Sequence, residues 1–221
     1  MYLIEDKVIF LHFPKASGTF IKRNTQCKIL KPIIRHVGIN HIPEEYYKYP
    51  IFGIIRNPFS FYVSFYYYFR NNKRLNSPTK EILFCKYFLE DENVDMNNFK
   101  KMKEDFNKHL QLLITNGMEH EINIKNYNCG FFSRLFQFIF IKTIDKSIDK
   151  SIDKPEITII KMEEYDKVNI FLSKNNITQI TSNTKINSGN HRHYRHYYTP
   201  ETIKLVEKYD KQILKKYNYH F

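Results

Sequence analysis

The chain has 221 residues, 42% of them hydrophobic, with 19 Phe, 17 Tyr and no Trp; this length suits one large domain and the composition excludes a disordered chain. No run approaches the ~20 apolar residues that a membrane-spanning helix needs. The 35 Lys and Arg against 23 Asp and Glu leave a net charge of +12, a field that attracts polyanions and leaves nucleic acid, an acidic glycan, an anionic membrane and a phosphorylated cofactor all open.

The N-terminal stretch MYLIEDKVIFLHF carries acids where a secretory signal would be basic, so no signal peptide is expected. Cys27, Cys85 and Cys129 are odd in number, far apart and without a CxxC spacing, and read as reduced thiols. Both features point to a cytoplasmic protein. The first strand is expected over Lys7–Phe13, ended by Pro14, with a short helix beginning at about Gly18. IFGIIR, residues Ile51–Arg56, is an apolar run suited to a strand covered on both faces. A helix should follow at once, because Asn57 is a natural N-cap and Pro58 stands at the first helical position.

Helical patterns continue through Lys80–Glu90 and about Met96–Thr115, the second closed by Asn116-Gly117. Glu156–Met162 is a late strand, and EEYDKVNIFLSKN after it reads as a helix. The last helix opens on Thr199 and Pro200 and repeats Ile203, Val206, Ile213 and Tyr217 at roughly helical spacing. This alternation predicts a single α/β domain over residues 1–221: three layers, a mainly parallel central sheet flanked by helices, and a P-loop-like cofactor site. The period-four repeat TIDKSIDKSIDK, residues 143–154, reads as a solvated low-complexity insertion with no chemistry assigned.

Two stretches carry chemistry. In FLHFPKASGTF a strand ends at a proline and feeds a helix, a turn that aims backbone N–H groups at one point and suits a phosphate. Lys15 adds a full charge, Ser17 and Thr19 add hydroxyls, and Gly18 permits close approach. The nucleotide-triphosphate loop G-x-x-x-x-G-K-[ST] is absent, since here the lysine precedes the glycine. In IIRNPFSFYVSFYYYF, Arg56 ends a buried strand and Ser64 follows eight residues later, on one helix face with Ser60. An arginine there can make paired charge-assisted bonds to a phosphate, and a serine hydroxyl adds a third.

Together these two stretches resemble the signatures of sulfotransferases that use 3′-phosphoadenosine-5′-phosphosulfate (PAPS), closest to the carbohydrate and heparan-sulfate-type branch. The C-terminal NSGNHRHYRHYYTPETIKLVEKYDKQILKKYNYHF is similar to the ending of the same branch. The resemblance covers both ends of the chain and is thin between about residues 75 and 150. It implies that Lys15 contacts the bridging oxygen and the leaving 5′-phosphate and that Ala16, Ser17, Gly18, Thr19 and Phe20 cradle that phosphate. It also implies that Arg56 and Ser64 hold the 3′-phosphate. Family members often read Arg-Asn-Pro-x-Asp-Arg, where this chain has Ser60 and Phe61.

Transfer of a sulfuryl group to a hydroxyl needs a base for the hydroxyl proton, and histidine suits neutral pH. The resemblance places such a histidine about twenty residues ahead of Arg-Asn-Pro, which is His36; His41, Glu44 and Glu45 are the alternatives. In NHRHYRHYY, Arg192 and Arg195 interleave His191, His193 and His196 and would repel a metal cation. The expected role is a basic aromatic loop in which Arg192 and Tyr194 meet the cofactor or an anionic acceptor. The reading is therefore a metal-free PAPS-dependent sulfotransferase with a hydroxyl acceptor on a sugar or glycan, anionic glycans included. No nucleic-acid partner is expected, and a basic nucleic-acid-binding module and a P-loop-type nucleotide kinase are the alternatives.

Overall fold

A computed structural model describes residues 1–30, 38–71, 95–115, 129–141, 156–181 and 191–221. The expected helix over Lys80–Glu90, the insertion at 143–154, Cys85 and His36 lie outside the described residues. The chain divides into two compact units, Met1–Arg56 with Phe136–Ser188, and Asn57–Leu135 with Gly189–Phe221.

The first unit is built on five strands: β1 (Tyr2–Ile4), β2 (Val8–Leu11), β3 (Cys27–Ile29), β4 (Ile51–Ile55) and β5 (Ile157–Lys161), in the order β3-β1-β2-β4-β5. The α/β class expected from the sequence is present, and the sheet is mixed. β2 pairs with β4 and β4 with β5 in parallel, while β1 pairs antiparallel with both β2 and β3. β1 and β3 escape a reading of the sequence for a physical reason. The β1–β2 hairpin turns on Glu5 and Asp6, at φ 47° and 54°, with the Lys7 N–H donating to the Ile4 carbonyl at 2.9 Å. Both central residues in the left-handed region favour Asn-Gly or Asp-Gly, so Glu-Asp gives no turn signal.

β2 and β4 are buried along their whole length, which explains their unbroken apolar runs. β5 is less covered: Ile160 is buried, Thr158 is exposed and the other three residues are half-buried. β2 ends at Leu11, short of the expected Phe13, and β4 ends at Ile55. Helix α1 (Gly18–Asn24) follows β2.

The second unit is helical. In α2 (Pro58–Asn71), the Asn57 side chain accepts from the Phe59 N–H at 2.9 Å, as expected of an N-cap. Phe59, Phe61, Tyr62, Val63, Phe65 and Tyr66 are buried, whereas Ser60 and Ser64 are half-buried on the remaining face. Phe61 packs against Phe65, Phe131 and Phe132; an aromatic core contact stands where the sulfotransferase pattern has a charged residue.

Helix α3 (Phe99–Thr115) begins three residues later than expected. Asp95 and Asn98 each accept backbone N–H bonds, from Asn97 and Lys101, and such side-chain capping starts a helix after the cap rather than through it. On α3, Asp105 receives Arg70 at 2.8 Å and the Tyr66 hydroxyl, with His109 at 3.0 Å. Helix α4 spans Phe131–Phe140, its residues up to Leu135 lying in the second unit and those from Phe136 in the first. In the first unit, after β5, comes α5 (Asp166–Lys174).

The terminal segment forms two helices instead of one, α6 (Pro200–Tyr209) and α7 (Lys211–Tyr217). Thr199 and Thr202 form a reciprocal cap at the start of α6, with Pro200 at its first position. The break falls at Asp210, whose side chain is wholly buried and bonded to Tyr62 and Ser133.

Candidate functional site

The candidate site lies in the first unit, where the chain leaves the carboxyl ends of β2 and β4. Those strands are parallel neighbours in the register Leu11↔Gly53, so the segments after them emerge side by side. Ligand sites of open α/β sheets gather at this edge.

After β2 the backbone bends sharply. Lys15 and Ser17 hold φ of 58° and 59°, a left-handed conformation that costs a non-glycine residue about 1 kcal/mol. Strain of this kind concentrates at functional sites. Ser17, at φ 59° and ψ 11°, is followed directly by helical Gly18, and its hydroxyl makes no capping bond to α1. A left-handed residue followed by a right-handed one turns successive N–H groups into one concavity. Ala16 is buried, Ser17 and Phe20 are half-buried, and Thr19 is exposed.

Gly18 has a further reason to be glycine that its own chain neighbours do not show. No glycine of the described chain has a positive φ. A Cβ at Gly18 would instead lie 1.8 Å from His12 Nε2. His12 stacks among Tyr2 and Phe10 and fills the space beside Gly18. Its spacing of two from Phe10, just past the end of β2, is the one signal that places it on that face.

Arg56 follows β4 and donates from Nη1 to the Lys15 carbonyl at 3.1 Å. Segments 41 residues apart in sequence are thereby joined at one point. Burial, reinforced by the neighbouring Arg56 charge, brings the Lys15 ammonium down from 10.5 to about 8. Two converging cations, one partly desolvated, form a place where an anion relieves both costs.

The structure thus brings together Lys15, Ala16, Ser17, Gly18, Thr19, Phe20 and Arg56. His41 belongs to the same unit and packs its ring against Phe138 at 5.9 Å; its Nδ1 is buried with no hydrogen-bond partner among the described residues. Ser64, Arg192 and Tyr194 belong to the second unit. There the Arg192 guanidinium sits 4.2 Å above the Phe99 ring, and the Arg192 backbone N–H donates to the Tyr197 hydroxyl. Tyr194 stacks on Phe59 and meets Phe221 edge-on. Arg195 donates to the Phe221 carbonyl at 2.7 Å.

No protein-family model matches the chain, and no match is found among curated protein sequences. Among the described residues, no helix is long and apolar enough to cross a membrane.

Proposed function

We propose that the chain is a sulfotransferase that uses PAPS as donor and a hydroxyl, on a sugar or glycan, as acceptor. The observation that carries the reading is the convergence of Lys15 and Arg56 beside the strained turn after β2. When bound, PAPS supplies the sulfuryl group, and 3′-phosphoadenosine-5′-phosphate is released.

Each residue then has a defined task. Lys15 neutralises charge growing on the leaving 5′-phosphate oxygen, a contribution larger in the transition state than in the ground state. The amides of Ala16 to Phe20 are fixed before the reaction and need no reorganisation as that charge develops. Arg56 holds the 3′-phosphate and sets the position of the donor. His36 takes the acceptor proton, with His41 as the alternative base. No metal is required.

The direct test is thermal stabilisation by 3′-phosphoadenosine-5′-phosphate compared with ATP plus Mg²⁺. The first should raise the melting temperature at micromolar concentration. A larger shift with ATP and Mg²⁺ would move the assignment to a nucleotide kinase, and duplex binding that weakens steeply with salt would move it to a nucleic-acid module.

The same ligand gives a pH prediction. A phosphate favours protonated Lys15, so above pH ~8 the free protein must take up a proton to bind. Affinity for 3′-phosphoadenosine-5′-phosphate should fall as pH rises through about 8, by up to about tenfold per pH unit. The Lys15→Met variant should lose that dependence. Calorimetric titrations between pH 7 and 9.5 check both statements, and a flat wild-type profile would remove Lys15 from phosphate binding.

A further inference from the structure

Tyr165 stands just after the third of the parallel strands. β5 ends at Lys161, paired in register with Ile55 of β4. A single 3-10 turn, Met162–Glu164, then delivers Tyr165 to the start of α5. Its ring meets the Phe20 ring edge-on, with centroids 5.3 Å apart and planes at 85°. Phe20 lies on the first turn of α1, directly after the bend that carries Lys15 and Ser17.

The Tyr165 hydroxyl is buried and has no hydrogen-bond partner among the described residues. Other buried tyrosine hydroxyls are satisfied: Tyr62 donates to Asp210 at 2.7 Å, Tyr66 to Asp105, and Tyr198 to the Phe59 carbonyl at 2.8 Å. A buried hydroxyl without a partner disfavours the folded state, and a ligand oxygen that accepts from it removes that disadvantage. Burial also pushes the Tyr165 phenol well above its ordinary range, so at neutral pH it carries its proton and acts as a donor.

We propose that the Tyr165 hydroxyl donates a hydrogen bond to an anionic oxygen of the phosphorylated ligand bound at the carboxyl ends of β2 and β4. This rests on the reading of that edge as the PAPS site and adds a binding residue from β5 to the two segments already assigned. The ligand class is set by the chemistry: a neutral hydroxyl donor takes an oxygen acceptor, and the phosphorylated ligand of the proposed site offers phosphate and sulfuryl oxygens.

Tyr165→Phe keeps the ring against Phe20 and deletes only the donor. The apo variant should melt at or above the wild-type temperature, because the deleted group has no partner to lose. Its affinity for 3′-phosphoadenosine-5′-phosphate, measured by calorimetry on the full chain, should fall about tenfold, the scale of one hydrogen bond to a charged acceptor. A lower apo melting temperature with unchanged affinity assigns the hydroxyl to the fold and overturns the inference. Equal affinity at equal stability overturns it as well, and both results leave the cofactor reading intact. Absence of binding by the wild-type chain overturns that reading and this inference with it.

Discussion

Lys15→Ala should lower the proposed sulfuryl transfer by at least ~100-fold, the usual loss when a preorganised charge facing the leaving group is removed. His36→Ala should lower it on the same scale, that of losing a general base. The two variants divide the loss differently. In the proposed site Lys15 would face the phosphate in the bound state as well as in the transition state, so its removal should weaken binding of 3′-phosphoadenosine-5′-phosphate together with turnover. A base for the acceptor touches neither phosphate, so His36→Ala should bind that product as the wild type does. Transfer of labelled sulfate, paired with calorimetric binding, separates the two. Wild-type rates in both variants would dispose of these roles, and weakened product binding in His36→Ala would place His36 with the phosphates instead. Retained function in His36→Ala with loss in His41→Ala would transfer the base role to His41, whose buried Nδ1 already sits in the first unit.

Asp210→Ala should destabilise the second unit by about 3 kcal/mol, the sum expected when two or more buried donors lose their acceptor. The Asp210 carboxylate accepts the Tyr62 hydroxyl at 2.7 Å, the Ser133 N–H at 2.9 Å and the Ser133 hydroxyl at 2.6 Å. It also occupies the place of a Gly130 side chain: a Cβ there would meet Oδ1 at 2.6 Å. Deleting the carboxylate leaves Ser133 N–H without this acceptor and opens a cavity beside Gly130. For a chain of this length the melting temperature should drop by about 10 °C, and a loss under 2 °C would show that water replaces the carboxylate without cost.

The sign of the pH effect at Asp210 follows from its burial. Desolvation raises the carboxyl above 3.8 although bonds from Ser133 and Tyr62 oppose it. The folded protein therefore keeps that proton to higher pH than the unfolded chain. This group alone makes stability fall as pH rises from 3.8 through the raised value, and Asp210→Ala should abolish that component of the pH profile.

Much of the local architecture was legible in the residues. Val8–Leu11 and Ile51–Ile55 are apolar runs that only a strand buried on both faces requires. Asn57 with Pro58, and Thr199 with Pro200, announce helix starts through side-chain acceptors and a fixed φ. Other elements were not legible because their signals are absent or contrary. The Glu5-Asp6 turn lacks glycine and asparagine although both its residues are left-handed. Asp210 interrupts a helical repeat for the sake of partners on α2 and α4, Tyr62 being 148 residues away in sequence and Ser133 77.

For the candidate site, the residue types alone marked Lys15, Ser17, Gly18 and Arg56, because a cation, hydroxyls and a small residue after a buried strand have few structural uses. Only the tertiary structure decided that Lys15 and Arg56 meet, since adjacency of β2 and β4 is a matter of strand order, which hydrophobic periodicity does not encode. It also decided that His12 is what makes Gly18 necessary, and that Tyr165 arrives beside Phe20. Periodicity fixes which face a side chain takes; the company it keeps there depends on segments distant in the chain, whose pairing is set by packing of the whole sheet.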